Sequence, residues 1–319
     1  MVGILNINNL GPMLRACRPR QWTKNLLVFA APLFSFRLDL SVWLSAIVAL
    51  VCFCLISSSV YLFNDCLDVA ADRAHPTKRN RPIACRQISQ ASALATALLL
   101  VLVSLSWAAW LSPALAVLLI LYGIIQVGYC LQFKRMPLLD LFCIASGFLL
   151  RAMAGAVAGK LPLSPWFLLT VGMLPLFLAI EKRKAELRVV ESRGFVTRKV
   201  LERYSLPLLL RLESLVSTSA FISYALWSAD PALRDAQTSW MLLTVPLVLV
   251  GIFRYQLLSD PDESERRRIE TPDQSSEKPE EILLGYRGIR LTFIAWLFIV
   301  AIVGIGHRTG ALPEIGLQP

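Results

Sequence analysis

Asn64, Asp65, Asp68 and Asp72 close a long apolar run, and Arg73, Lys78, Arg79 and Arg81 follow at once. On a helix turning about 100° per residue, the three aspartates fall within roughly 60° of one another, so the spacing predicts one face carrying three carboxylates. Left alone they would repel. A divalent cation removes that cost, and hard oxygen ligands suit Mg2+, which takes one or two carboxylates, keeps several waters and shares substrate phosphates. The basic stretch would then hold the remaining phosphate oxygens. The plainer alternative is a solvated acidic turn paired with a basic loop.

A second set of charges recurs further along. Tyr129 is followed by Lys134 and Arg135, Asp140 opens the next apolar run, and Glu181-Lys182-Arg183-Lys184-Ala185-Glu186 ends the one after. Singly, such cations are ordinary membrane-surface anchors. Seven cysteines show no CxxC or Cys/His ligand spacing, and Cys52 and Cys54 lie within an apolar run, so they read as small hydrophobes rather than a disulfide framework or zinc site. His75 and His307 are too few for a histidine metal cluster.

The elements that must position these charges are membrane helices. Hydrophobic residues make up 56% of 319 and charged ones 17%, and mean hydropathy is +0.59, values that exclude a soluble globular surface. The start, from Met1 to Leu14, lacks a basic region followed by a short apolar core, so no cleaved signal peptide is expected. Apolar segments at about 20–36, 40–63, 91–111, 113–131, 137–158, 161–180, 205–228, 240–258 and 289–305 predict nine spans of the ~20 residues that cross a bilayer. Nine spans place 26 of the 32 Lys and Arg on one side, and the positive-inside rule makes that side cytoplasmic, with the Asp motif on it. The net charge of +10 suits anionic lipid and phosphorylated substrates; no nucleic-acid module is present. The whole chain, 1–319, reads as one transmembrane catalytic domain, with a polar tail over 1–14 and a flexible cytoplasmic loop over 259–281. Arg151 falls about 16 Å deeper than Asp140 along a helix, near mid-membrane. It is expected to face the bundle interior in a structural role, with Glu213 a candidate partner.

The chain resembles the UbiA-type intramembrane prenyltransferases, a nine-helix superfamily with an NDxxDxxxD motif after the second helix and a polar cluster after the sixth. Within it the likeness is greatest to the polyprenyl-phosphate (decaprenyl-phosphate) phosphoribosyltransferases. It is carried by Arg18-Pro-Arg-Gln-Trp-Thr-Lys-Asn25, by Tyr61 through Pro82 with its His-Pro-Thr-Lys-Arg core, by Asp140 through Gly155, by Leu163-Ser-Pro-Trp-Phe167, and by Lys182-Arg183 with Ala185-Glu186. Lys184 departs from the group's usual tyrosine.

The resemblance implies an all-α, polytopic UbiA-like bundle in the bacterial cytoplasmic (inner) membrane, with its active site on the cytoplasmic face. It implies Mg-dependent transfer of 5-phosphoribosyl from phosphoribosyl diphosphate to a long polyprenyl phosphate, releasing diphosphate and supplying lipid-linked pentose to the cell envelope. Asp65, Asp68 and Asp72 would be catalytic and, with Asn64, metal ligands. Substrate-binding roles would fall to Arg20, Gln21, Lys24, Arg73, Lys78, Arg79, Arg81, Tyr129, Lys134, Asp140, Lys182, Arg183 and Glu186. The partners are the two substrates and the membrane, and homo-oligomerisation stays open. The residues fit that chemistry, because a second cluster richer in cations than in DxxxD spacing suits an extra donor phosphate. Two rivals stand beside it: an aromatic prenyltransferase using a polyprenyl diphosphate, and a transporter. The latter should carry more intramembrane charge than Arg151.

Overall fold

In a computed structural model the chain is described over residues 10–36, 39–193, 199–229, 239–260, 263, 266 and 286–312. The loop expected over 259–281 and the first nine residues of the tail therefore lie outside the described residues, save for the loop's positions 259, 260, 263 and 266. The described residues are helical, with no strand among them. They form two compact units, 1–134 with 146–161, and 135–145 with 162–319.

The first unit opens with α1 (Leu10–Ala16), a 3-10 helix over Pro19–Phe29, and α2 (Ala30–Phe34). It continues through α3 (Leu40–Leu67), α4 (Val69–Ala74), α5 (Gln90–Leu111), α6 (Pro113–Leu131) and most of α7 (Leu139–Gly159). α3 runs 28 residues without Gly or Pro, about 42 Å at 1.5 Å per residue, so its final turns extend past a ~30 Å hydrocarbon core. α5 starts where Ser89 Oγ accepts the Ser92 N–H at 3.1 Å. It ends at Ser112, ahead of Pro113, which occupies the first turn of α6 and disfavours helical geometry in the residue before it. Phe53, Leu115, Leu119 and Tyr122 centre the core of this unit.

The second unit holds the start of α7, then α8 (Pro165–Arg193), α9 (Leu206–Ala229), a 3-10 turn over Trp240–Thr244, α10 (Val245–Leu258) and α11 (Arg287–Thr309). Leu141, Ile180, Leu209 and Tyr255 centre its core. Large apolar side chains point outward on both units, among them Leu98, Trp110 and Ile124 in the first and Phe293, Phe298 and Ile305 in the second. Such exposed apolar surface is what lipid tails would cover.

Eight helices among the described residues are long and apolar enough to cross a membrane. Seven match expected spans closely; α8 runs well past its expected end at residue 180, carrying the Glu181–Glu186 cluster as continuous helix. The expected first span, residues 20–36, differs. Pro19 starts a 3-10 helix, and Pro32 leaves the Val28 carbonyl without its α-helical donor, so the chain forms an 11-residue 3-10 stretch and a 5-residue α-helix instead of one continuous helix, and runs alongside α3 from Asp65 to Trp43. The expected count of nine is therefore not reached among the described residues.

Candidate functional site

The Asp motif sits at a break in the helix. α3 stops at Leu67, Asp68 adopts φ −92° and ψ 9°, and α4 restarts at Val69, so the motif is split between two helices. Asp65 and Asp72 stay together. Nη1 of Arg81 donates to Asp65 Oδ1 at 3.1 Å and to Asp72 Oδ2 at 2.7 Å, and Arg18 forms a further ion pair with Asp65. Asp68 turns away, and Lys134 Nζ meets both its carboxylate oxygens, at 3.0 and 3.1 Å. Asn64 contributes its carbonyl, which accepts the Asp68 N–H at 3.0 Å.

Exposure separates acids from bases around Asp65 and Asp72, though not at Asp68, whose side chain is 33% exposed against 22% for Lys134. The Asp65 side chain is 2% exposed, whereas those of Arg18 and Arg81 are 27% and 26%. The Asp65 and Asp72 carboxylates are thus fixed in the protein while Arg18 and Arg81 reach in from flanking segments, so these two cations can exchange contacts with an incoming phosphate. Arg18 is the residue of this site to which the sequence alone assigns no role. It precedes Pro19 in left-handed backbone, φ 55° and ψ 60°, and its guanidinium lies 4.9 Å over the Tyr61 ring. A conformation this rare in a non-glycine residue is a useful sign of constraint, yet nothing in the local sequence announces it.

The loop after α4 carries the other expected cations. Lys78 and Arg79 are exposed in a short 3-10 turn, where His75 Nδ1 accepts the Thr77 and Lys78 N–H groups at 3.2 and 3.4 Å. Arg73 Nε donates to the Ala84 carbonyl at 3.0 Å. Arg20 and Lys24 are exposed and Gln21 half-buried on the first 3-10 helix, and Tyr129 is half-buried on α6.

The oxygen donors suit magnesium. Arg81 Nη1 already occupies a point on which one oxygen from Asp65 and one from Asp72 converge, the hard-ligand pair a divalent cation would use. Among the described residues no three His, Cys, Asp or Glu side chains are gathered to hold an ion by themselves. Two carboxylates completed by water and substrate phosphate oxygens is therefore the composition that fits.

The second unit holds its own charges differently. Asp140 is fully buried; Arg183 Nε donates to its Oδ2 at 2.9 Å and the Tyr204 hydroxyl to its Oδ1 at 2.7 Å, while Arg183 also pairs with Glu186. Tyr204 Oη accepts the Leu138 N–H at 2.7 Å. Burial, and then the hydrogen bond to Asp140, push the Tyr204 phenol well above its ordinary value. Lys184, at the position where the resemblance expects tyrosine, lies between Glu181 at 2.8 Å and Glu213, and Gln256 Nε2 donates to Glu213 at 3.0 Å. Lys182 is half-buried and makes no ion pair among the described residues. Arg183 and Lys184 are thus held by acids rather than presented as a basic surface.

Arg151 also finds partners other than the expected one. Glu213 is taken by Lys184, while Arg151 donates to Asn25 Oδ1 at 2.7 Å, the Tyr122 hydroxyl at 3.0 Å and the Gly147 carbonyl. Neutral oxygens and the faces of Phe53, Tyr122 and Phe148 surround it, an arrangement in which a buried guanidinium is satisfied without a carboxylate.

Comparison with known proteins adds the following. The pattern of the UbiA prenyltransferase family matches residues 26–270. A decaprenyl-phosphate phosphoribosyltransferase of Mycolicibacterium smegmatis is 39% identical over 302 residues, covering 91% of this chain and 91% of its own. One from Mycobacterium tuberculosis is 37% identical, covering 92% and 94%. A UbiA homologue from Archaeoglobus fulgidus, solved with GPP and Mg2+, superposes with a TM-score of 0.66 over 93% of this chain and 99% of its own, at 19% identity. At that identity it speaks for the fold.

Proposed function

The chain belongs to the UbiA prenyltransferase family, and from that membership we propose that it is the transferase that moves 5-phosphoribosyl from phosphoribosyl diphosphate to a polyprenyl phosphate. The observation that carries this reading is the 37–39% identity, over nine-tenths of the chain, to decaprenyl-phosphate phosphoribosyltransferases.

An oxygen of the lipid phosphate attacks ribose C1, the bond from C1 to the diphosphate oxygen breaks, and its electron pair leaves with diphosphate. The nucleophile is already anionic, so no proton has to be removed. Asp65 and Asp72 would hold Mg2+, which when bound neutralises charge on the departing diphosphate, while Asp68, on Lys134, and Asn64 flank that pair. Arg18, Arg81 and Lys134 supply hydrogen bonds to diphosphate oxygens as negative charge builds there. Lys78 and Arg79, exposed on the neighbouring loop, meet the donor's outer phosphate. In the second unit Arg183 and Lys184 are committed to carboxylates, so no phosphate is assigned to them. Arg20, Gln21, Lys24 and Tyr129 line the approach of the lipid headgroup. The skew of 26 of 32 cations supports placing the Asp motif at the cytoplasmic face of the bacterial inner membrane.

The test supplies purified protein and Mg2+ with radiolabelled phosphoribosyl diphosphate and polyprenyl phosphates of several lengths. Label should appear in lipid with equimolar diphosphate release. No consumption of phosphoribosyl diphosphate, with turnover of a prenyl diphosphate on an aromatic acceptor, would replace this reading with the aromatic prenyltransferase.

A further inference from the structure

The first 3-10 helix is docked on two sides. Toward α3, Trp22 Nε1 donates to Ser58 Oγ at 3.0 Å, Ser58 Oγ donates to the Cys17 carbonyl at 3.1 Å, and Asn25 Nδ2 reaches Cys54 Sγ at 3.2 Å and Ser57 Oγ at 3.3 Å. Toward α7, Asn25 Oδ1 accepts from Arg151, and Gly155 lies so close to Val28 that a Cβ there would fall within the Val28 carbonyl oxygen. Arg151 and Gly155 are four residues apart and share a helix face. Gly147, one turn earlier, gives Arg151 both room and a carbonyl acceptor.

Asn25 is 0% exposed and Val28 0%, so the docking residues sit deep in the unit although Arg20, Thr23 and Lys24 on the same helix are exposed. A permanently charged guanidinium at this depth is costly to satisfy, and its Nε is committed to the side-chain amide of this segment while Tyr122 and Gly147 take its other donors. The segment begins at Pro19, whose predecessor is Arg18 in its left-handed conformation over Tyr61 and against Asp65. The place of the 3-10 helix therefore fixes the place of Arg18.

We infer that the Gly147–Arg151–Gly155 face of α7 is a cradle for the 3-10 helix, and that Arg151 and Asn25 are positioning residues that set Arg18 against Asp65 and hence set donor affinity. The inference rests on the proposed role of Arg18 at the diphosphate, and it assigns Arg151 a task beyond helix packing. It explains why a buried position on an apolar helix is filled by arginine, whose forked donors reach Asn25, Tyr122 and Gly147 together where lysine offers a point charge.

The test combines amide hydrogen exchange with kinetics on N25S, G155A, R18A and N25S/R18A, using G172A as control because a Cβ at Gly172 meets nothing within 4 Å. Exchange over residues 19–29 should quicken in N25S and G155A and stay unchanged in G172A, with the other helices protected as before. In the same two variants the KM for phosphoribosyl diphosphate should rise about tenfold, as expected for a displaced charge-assisted contact, with a smaller change in the lipid KM. N25S should add nothing to the KM of R18A, since residues acting through one another are not additive. Faster exchange with an unchanged donor KM, or additive effects in the double variant, would overturn the positioning role. Unchanged exchange in both N25S and G155A would overturn the cradle. Should the unmodified protein not consume phosphoribosyl diphosphate, the functional reading fails, while the exchange data still decide the cradle.

Discussion

Two charged clusters, one in each unit, are built from the same residue types and differ in who is buried. In the first unit Asp65 and Asp72 are buried, but their cationic partners are about a quarter exposed and come from segments outside the helices that carry them. In the second unit both sides are buried: the side chains of Arg183 and Asp140 are each 1% exposed, and Lys184 is 5% exposed between two glutamates. Partly exposed cations can trade a carboxylate for a phosphate at modest cost, whereas a fully buried pair cannot release either member without stranding the other. The first arrangement suits ligand binding. The second suits a frame that holds α7, α8 and α9 of its unit in place.

The sharpest way to break this contrast is Arg183→Met. It strands Asp140, and losing one partner of a buried pair costs about 3–5 kcal/mol, so thermal stability in detergent should fall steeply. A variant that keeps its melting temperature and loses only donor affinity would show that Arg183 belongs with the ligand-binding charges.

Asp65→Asn tests the other side. Removing charge from the buried carboxylate that meets both Arg18 and Arg81 should lower kcat/KM about 100-fold, roughly 3 kcal/mol, and shift the Mg2+ dependence upward, with little loss of stability. Asp72→Asn, at the other carboxylate on that point, should follow it, and Asp68→Asn should cost less. An unaltered rate and Mg2+ requirement in the first two would remove the motif from the chemistry.

Tyr204→Phe sharpens the comparison through pH. The folded phenol ionises above its ordinary value of 10.0, so it stays neutral while the unfolded phenol loses its proton; its contribution is intact below that pH and declines above it. The variant should lose about 1 kcal/mol at neutral pH from its missing hydrogen bonds and show a shallower fall in stability above pH 10. Identical alkaline profiles for the two proteins would contradict the buried, Asp140-bonded phenol. The smallest effect is expected from Lys78→Ala and Arg79→Ala, exposed contacts worth under about 1 kcal/mol each. Each should raise donor KM a few-fold, and less so at high salt; a tenfold, salt-independent change would mean that the loop closes over the substrate.

The sequence by itself determined the membrane class, seven of the eight long helices closely, and the acidic motif, because hydropathy over ~20 residues and the identity of charged side chains are local properties. It could not decide which cations serve which acids. Arg18 and Lys134 meet the Asp motif from 47 and 66 residues away, and Glu213 goes to Lys184 rather than Arg151. It also left residues 20–36 as one continuous helix: apolar content and the missing N–H of Pro32 are both local, but the room that Gly155 leaves for the Val28 carbonyl arises only when the segment docks. Burial decided the rest: Lys182, Arg183 and Lys184 are adjacent in sequence, and only the direction each takes from α8 leaves one half-buried with no ion pair among the described residues and makes two the core of an ion network.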